Sequence, residues 1–356
     1  MSPDLTYRNK IFSYKKSRYC HTAVVNVTVS IINHNSTETL FDCLDAVERA
    51  LRHLESEIFV VDNLCKQKAG VEVKNRFPAV RVIDNKVRLG FAANHNQVIN
   101  QTESNYVLVL NPDVILPADA VMKMYSFMEE NPSVAACGPV LIDESGNVQS
   151  IVKQLVKPLK ETILLSCYIS DISPDTLPRL KNPFGMRASS SETLITDLII
   201  ANDGAGVKSA PTQSVEWISG ACMFFRRSVL REVGLFDERF FLYFEETDWC
   251  LRAINGGKII CYLPWITAVH FGGTSTRPSY LDNLTIYVKS AVRFYEKHRG
   301  TRVSVPIIII VKTVAAFNMF RWSLVSKFRP ATRQTRSQWI TFSKKIVFES
   351  LRSSPV

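Results

Sequence analysis

The 356-residue chain has no G-x-G-x-x-G sequence, no cysteines at C-x-x-C spacing, and little glycine or proline, 14 and 16 residues. Without the glycine fingerprint after the first predicted strand, a backbone cannot approach a dinucleotide pyrophosphate closely, which argues against a nicotinamide or flavin enzyme. The scarcity of glycine and proline excludes a collagenous or low-complexity chain. Eight cysteines are scattered, several in apolar runs where a free thiol behaves as a small hydrophobe, a pattern expected of a reduced cytosolic compartment. The first 25 residues are basic (Arg8, Lys10, Lys15, Lys16, Arg18) and lack the continuous apolar stretch of a secretory signal. Charged residues make up only 21% against 46% hydrophobic and 10% aromatic, so disorder is excluded as the main description and a packed core is expected.

The net charge of +10 is unevenly placed. From Arg299 onward 11 bases face one acid, Glu349, whereas residues 1–298 hold 32 of each sign. A neutral globule therefore carries a basic tail, and the charge does not mark the whole protein as a nucleic-acid binder.

Four β-rich runs precede residue 115: Val24 to Ile32, Glu57 to Asp62, Val80 to Asp84 and Tyr106 to Leu110. Consecutive apolar positions suit parallel strands covered on both faces. Between them, Leu40, Leu44, Val47, Leu51 and Leu54 form a helical stripe, with Asn35 and Glu38 spaced as a capping box, and a second helix spans Ala118 to Glu130. Alternation of strand and helix predicts a doubly wound, mostly parallel α/β sheet. Residues 141–213 read as a variable connection with short helices.

Ligands of such sheets bind beyond the carboxyl ends of the strands, which singles out Asn33-His34-Asn35, Asp62-Asn63 and Asn111-Pro112-Asp113. Pro112 keeps Asn111 out of a helix, and Asp113 on that tip suits Mg²⁺ or Mn²⁺, although a strand-end aspartate also serves as a helix cap or solvated loop residue. Phe236 to Arg252 sets Glu245, Glu246 and Asp248 beside five aromatic residues. Such crowding raises the pKa of one carboxyl and poises it as a proton acceptor, while the alternative is an acidic helix N-terminus in water. Arg252 is spaced as an i,i+4 partner of Asp248. His270 ends another apolar run and is either a structural histidine or a ligand for a first-row metal, with Gly272-Gly273-Thr274-Ser275 following as a weak phosphate-loop signal.

Seven ordered blocks carry a family resemblance: Val29 to Ser36, Val60 to Asn63, Gly90 to Gln97, Leu110 to Asp113, Trp217 to Arg227, Val233 to Arg252 and His270 to Ser275. Together they resemble glycosyltransferase family 2, most closely its bacterial rhamnosyltransferase branch, over roughly residues 24 to 298. The resemblance implies a Rossmann-like GT-A fold with a fused acceptor-binding region, and inverting, Mg²⁺- or Mn²⁺-dependent transfer from a nucleotide-diphosphate sugar. It places the donor against Asn33, Asn35, Asp62, Asn63, Gly90, Asn94, Asn111 and Asp113, with Asp62 at the base or ribose and Asp113 and His270 on the metal. Glu246 stands where the family's general base is usually aspartate, so the proton falls to Glu246, Glu245 or Asp248. The implied regions are a basic extension 1–23, a nucleotide-sugar-binding region 24–140, an acceptor-binding and catalytic region 141–298, and a tail 299–356. The implied donor is dTDP-L-rhamnose, with UDP-galactose, UDP-N-acetylglucosamine and UDP-galactofuranose as alternatives. The implied acceptor is a lipid-linked saccharide of surface-polysaccharide assembly. A noncatalytic sugar- or membrane-binding protein of the same fold is the reading from a different class.

Val303 to Phe320 holds a single charge, Lys312, and is followed by Arg321 and Lys327. The run is short for a transmembrane helix and reads as an amphipathic helix on an anionic membrane surface, at the cytoplasmic face of the plasma membrane. The alternative is a helix docked on the enzyme or on a homodimer partner.

Overall fold

A computed structural model describes residues 25–66, 68–149, 158–169, 213–272, 280–325 and 333–352. The extension 1–23, most of 141–213, and Gly273, Thr274 and Ser275 lie outside the described residues. In chain order the elements are β1 (Val27–Asn33), α1 (Thr37–Leu51), β2 (Ser56–Asp62), α2 (Gly70–Arg76), β3 (Arg81–Asp84), α3 (Phe91–Ile99), β4 (Tyr106–Leu110) and β5 (Val114–Ile115). There follow α4 (Ala120–Glu130), β6 (Val134–Ile142), α5 (Pro158–Ile169), β7 (Gln213–Ser214), β8 (Cys222–Arg226), α6 (Arg227–Val233) and α7 (Glu245–Asn255). The chain closes with β9 (Ile259–His270), α8 (Tyr280–Arg299), α9 (Thr301–Val325) and α10 (Arg333–Phe348).

One nine-stranded sheet runs β3-β2-β1-β4-β8-β6-β9-β5, with β7 on β9. The first four of these strands are mutually parallel and in register, Asn33 opposite Asp62, Asp62 opposite Asp84, and Ile31 opposite Leu110. Their carboxyl ends therefore share one edge, as expected for a doubly wound sheet. The remaining half is mixed: β8 runs antiparallel to β4 and β6, and β5 antiparallel to β9, while β6 and β9 are parallel. Every residue of β4 is buried, because helices cover both faces of the parallel half.

On α1, Leu40, Leu44, Val47 and Leu51 are buried on the sheet. Leu54 falls beyond the helix end at Leu51 and is only partly buried. The expected Asn35–Glu38 capping box does not form. Ser36 occupies the cap position with no side-chain cap bond, and its N–H goes to Asn33 Oδ1 (3.0 Å). Asn35 instead adopts a left-handed φ of 60° and accepts the Lys66 N–H (2.8 Å). The described free cysteines, Cys43, Cys65, Cys137, Cys222, Cys250 and Cys261, are buried, matching their reading as small hydrophobes.

A second core lies apart from the sheet. Leu284, Val288, Ile307, Val311, Phe342 and Ile346 bury together, joined by Leu165 and Ile169 of α5 and by Phe240 from the loop before α7. The described helices beyond Arg299 thus pack into a helical core shared with α8 and α5. α9 is apolar on both sides: one face fills this core, while Ile309, Phe317 and Phe320 remain exposed on the other.

Gly90 fixes how the loop before α7 meets α3. It is itself the N-cap of α3, Phe91 N–H donates to Phe241 O (2.7 Å), and a Cβ on Gly90 would lie 2.4 Å from that same oxygen. Gly90→Ala is expected to push the two backbones apart, costing roughly 1–3 kcal/mol as overpacked cores do; a urea-unfolding midpoint equal to the parent's would refute the contact.

Candidate active site

Asp113 and His270 are brought together by backbone pairing. The two-residue strand β5 pairs antiparallel with the end of β9, Val114 opposite His270, and Phe271 N–H donates to Asp113 O (3.0 Å). His270 Nε2 then lies 3.3 Å from Asp113 Oδ1, with Asn111 Nδ2 3.5 Å from the same nitrogen. Gln149 sets the imidazole: its Nε2 donates to His270 O (2.6 Å), which turns its Oε1 to His270 Nδ1 (2.6 Å). Nδ1 is thereby occupied by Gln149, and Nε2 is the ring nitrogen that faces the aspartate. A carboxylate oxygen beside an imidazole nitrogen is a donor set that suits a divalent cation, and an outer partner on the far ring nitrogen is how metal-binding histidines are held. Among the described residues no group of three His, Cys, Asp or Glu gathers here, so further ligands would have to come from substrate oxygens and water.

These residues floor a cavity of about 200 Å³ whose walls include His34, Asn63, Arg88, Asn94, Phe241 and Asn283. Its polar wall is braced by amide bonds. Asn63 Oδ1 accepts from Leu89 N–H (2.9 Å) and Asn85 Nδ2 (3.2 Å), while Asn94 Nδ2 donates to Gly90 O (2.8 Å) and its Oδ1 takes Asn85 Nδ2 (2.7 Å). Arg88 is exposed and its guanidinium sits 5.3 Å from the Phe241 ring centre, leaving a cation at the mouth. His95 is a core residue: burial pushes it down to about 3, and it is held neutral against Ser30 Oγ (2.7 Å).

The acidic segment begins with backbone strain. Tyr243 and Phe244 both have φ of 70°, a left-handed conformation that bulky residues avoid at about 1–2 kcal/mol each. Glu245 and Glu246 open α7 immediately afterwards. Glu245 is buried with Oε2 lacking a hydrogen-bond partner, and burial followed by the neighbouring Glu246 charge raises its pKa well above the usual carboxylate range. Glu246 is half-buried. Asp248 is fully buried and meets Arg252 (2.9 Å), Lys297 (2.6 Å) and His298 (2.7 Å). Burial alone would raise its carboxyl, but His298, Lys297 and Arg252 hold it below the ordinary value. A carboxylate so committed is an anchor, and Arg252 is its i,i+4 partner as the spacing suggested.

Of the sequence-derived donor residues, Asn63, Asn94, Asn111 and Asp113 line the cavity with His270. Asn33, Asn35, Asp62 and Gly90 are not among its lining residues. Asn33 and Asn35 spend their side-chain oxygens on backbone N–H groups, and Gly90 is packed on Phe241. Asp62 is buried on the edge of the same sheet, Oδ1 accepting Cys65 N–H (2.9 Å) and Oδ2 without a hydrogen-bond partner. Glu245, Glu246 and Asp248 also stand outside the lining, reached through the wall residues Phe241 and Leu242. Gln149, Arg88 and Asn283 were not foreseen: Gln149 follows a polar turn with no recognisable periodicity, and Arg88 is one base among many.

Residues 28–195 match Glycosyl transferase family 2. The N-acetylglucosaminyl-diphospho-decaprenol L-rhamnosyltransferase of Mycobacterium tuberculosis is 23% identical over 255 residues, covering 68% of this chain and 76% of that protein. The dTDP-rhamnosyl transferase RfbF of Shigella flexneri is 25% identical over 198 residues, covering 52% and 62%. Among solved structures, GalNAc-T7 with UDP, GalNAc and Mn²⁺ shares the fold with a TM-score of 0.50 at 14% identity, over 78% of this chain and 48%, about half, of that one. The chain thus shares the GT-A glycosyltransferase fold and is similar to rhamnosyltransferases, with the glycosyltransferase family 2 match lying over residues 28–195.

Proposed function

We propose that this enzyme transfers L-rhamnose from dTDP-L-rhamnose, with inversion, onto a lipid-linked saccharide at the cytoplasmic face of the membrane during surface-polysaccharide assembly. The observation that carries the reading is the pairing of Asp113 with His270 Nε2 on the floor of a cavity that has an arginine at its mouth. Asp113 and His270 would hold Mg²⁺ or Mn²⁺. When bound, that ion offsets the charge developing on the departing diphosphate.

The chain's own residues supply the rest. Arg88 meets the diphosphate charge at the cavity mouth, and the unpartnered Asp62 Oδ2 accepts from the nucleotide base or ribose. Phe241 and Leu242 keep water from the reacting face. Glu246 takes the acceptor hydroxyl proton as the acceptor oxygen bonds to the anomeric carbon and the bond to the diphosphate breaks on the opposite side. Configuration inverts in this single displacement, with no enzyme nucleophile. Burial and the neighbouring Glu246 charge hold the pKa of Glu245 well above the usual carboxylate range, so Glu245 is the member of the pair that favours keeping its proton. Residues 24–140 supply most of the donor site, and 141–298 supply His270 together with the acceptor and proton-transfer groups.

The outward face of α9 suits a bilayer. Ile309, Phe317 and Phe320 are 59%, 67% and 60% exposed. Lys312, the single charge between Arg302 and Arg321, turns inward to donate to Val347 O (2.9 Å) and Glu349 O (3.1 Å). An apolar strip bounded by arginines fits acyl chains between anionic headgroups.

With a panel of nucleotide sugars and Mn²⁺, dTDP-L-rhamnose should give the fastest nucleoside-diphosphate release, and equal rates with a UDP-hexose would refute the donor. Asp113→Ala should lower turnover by on the order of 10²–10³-fold, and Glu246→Gln by about 10²–10⁴-fold with donor affinity retained; transfer by Glu246→Gln at the parent's rate would refute its role. A buried carboxyl with a raised folded pKa stabilises fully below its unfolded value of 4.5 and loses that contribution as pH rises through the folded pKa. The parent's Tm should therefore fall more steeply than that of Glu245→Gln between about pH 5 and about pH 9, and parallel curves would show Glu245 to be an ordinary carboxylate. Charging the outer face of α9 with Ile309→Glu and Phe317→Glu should abolish flotation with phosphatidylglycerol vesicles; unchanged flotation, or a dimer that these changes split, would overturn the lipid assignment.

A further inference from the structure

Helix α8 grips the loop that delivers the acidic pair, and it does so from one face. Tyr287, Ser290, Phe294 and Lys297 recur at helical spacing. Tyr287 packs on the rings of Tyr243 and Phe244 at 5.5 and 5.3 Å between centroids, and Phe294 on Phe244 at 5.3 Å. Ser290 Oγ donates to Leu242 O (2.9 Å). Lys297 Nζ reaches both ends of the loop at once, Asp237 Oδ2 at 2.8 Å and Asp248 Oδ1 at 2.6 Å. Its ammonium also lies 5.9 Å from the centre of the fully buried Phe240 ring.

Between Asp237 and Asp248 lie Phe241 and Leu242, which wall the cavity, the left-handed Tyr243 and Phe244, and the Glu245–Glu246 pair. A strained turn persists only where its surroundings over-determine it. We propose that Lys297 is a positioning residue: by bridging Asp237 and Asp248 it closes the loop and sets the carboxylate of Glu246 against the donor cavity. The inference rests on the reading of Glu246 as the base. The bridge is a suitable device because the carboxylates are nearly enclosed, with side-chain exposures of 13% and 0%, so the ammonium acts with little screening. Removing it leaves Asp248 with Arg252 and His298, and Asp237 with Arg239. Each end then keeps a partner and Arg252 still joins Asp248 to the Val233 and Leu235 carbonyls ahead of the loop, but no cation bridges the two carboxylates directly.

The test uses the full chain, comparing Lys297→Met, which keeps the apolar stem, with Lys297→Arg. Lys297→Met should lower kcat by about 10–10²-fold, the scale of an ångström-level misplacement, leave the donor KM and nucleoside-diphosphate affinity unchanged, and regain most of the loss as Lys297→Arg. A lower Tm with parental kcat per folded molecule would make the residue structural only and overturn the proposal, as would a raised donor KM at parental kcat. If Lys297→Met does not fold, Ser290→Ala, which frees Leu242 O on the same face, should lower kcat at constant KM, and parental kcat there would refute the clamp. Glu246→Gln run in parallel separates the two failures: if it retains transfer, the base assignment falls, and if it loses transfer while Lys297→Met does not, the clamp alone falls.

Discussion

The pairing of Val114 with His270 and Ile115 with Val269 is a short piece of ladder on which the chemistry depends. It joins a tip of the parallel half-sheet to the last residue of β9, so the two candidate metal ligands meet through main-chain geometry. Side chains placed that way lose little freedom on binding a ligand, which is the physical content of preorganisation. The backbone of Asp113 accepts from Phe271, the imidazole is turned by Gln149, and Asn111 is tied to Ala221 of the loop before β8. Three separate stretches of sequence thus converge on one point, and displacing β9 by one residue would invert His270 to the other face of the sheet.

Against this rigid floor the acidic segment is held under strain and under three different electrostatic regimes within four residues. Asp248 is ionised and surrounded by cations, Glu245 is neutral because it is buried beside another carboxylate, and Glu246 is half-buried next to both. A helix N-terminus favours negative charge by a few tenths to one kcal/mol, too little to ionise a fully desolvated glutamate with a like charge adjacent. The two neighbouring glutamates are therefore set apart by environment alone, Glu245 by full burial and Glu246 by partial exposure.

Much of the parallel half was legible from sequence because each strand is buried on both faces and each helix on one, so composition and periodicity report the same thing. The tips Asn63, Asn111 and Asp113 followed from the rule that ligands sit at strand carboxyl ends. The antiparallel half was not legible: β5 has only two residues, and β8 pairs with strands distant in sequence. Asn33 and Asn35 looked like ligands for the same reason that they cap turns, since a side-chain oxygen suits either task. The roles of the three carboxylates could not be separated without knowing that Lys297 and His298, some fifty positions onward, arrive beside Asp248.

The run of isoleucines in α9 carries two contrary demands that a periodicity cannot separate. A helix apolar on every side has no preferred face, yet here one side completes the core under α8 while the other is bare. Leu284, Val288 and Val292 of α8 are buried in the core to which Ile307 and Val311 of α9 belong, and the opposite flank of α8 grips the loop bearing Glu246. Stripping α9 away would expose that flank's backing to water, at roughly 1.5–3 kcal/mol per large side chain uncovered, and would loosen the helix that tensions the loop. The helix that bares Ile309, Phe317 and Phe320 on its outer face is therefore also a mechanical support of the segment bearing Glu245 and Glu246, so the exposed apolar strip and the acidic loop rest on the same packed core.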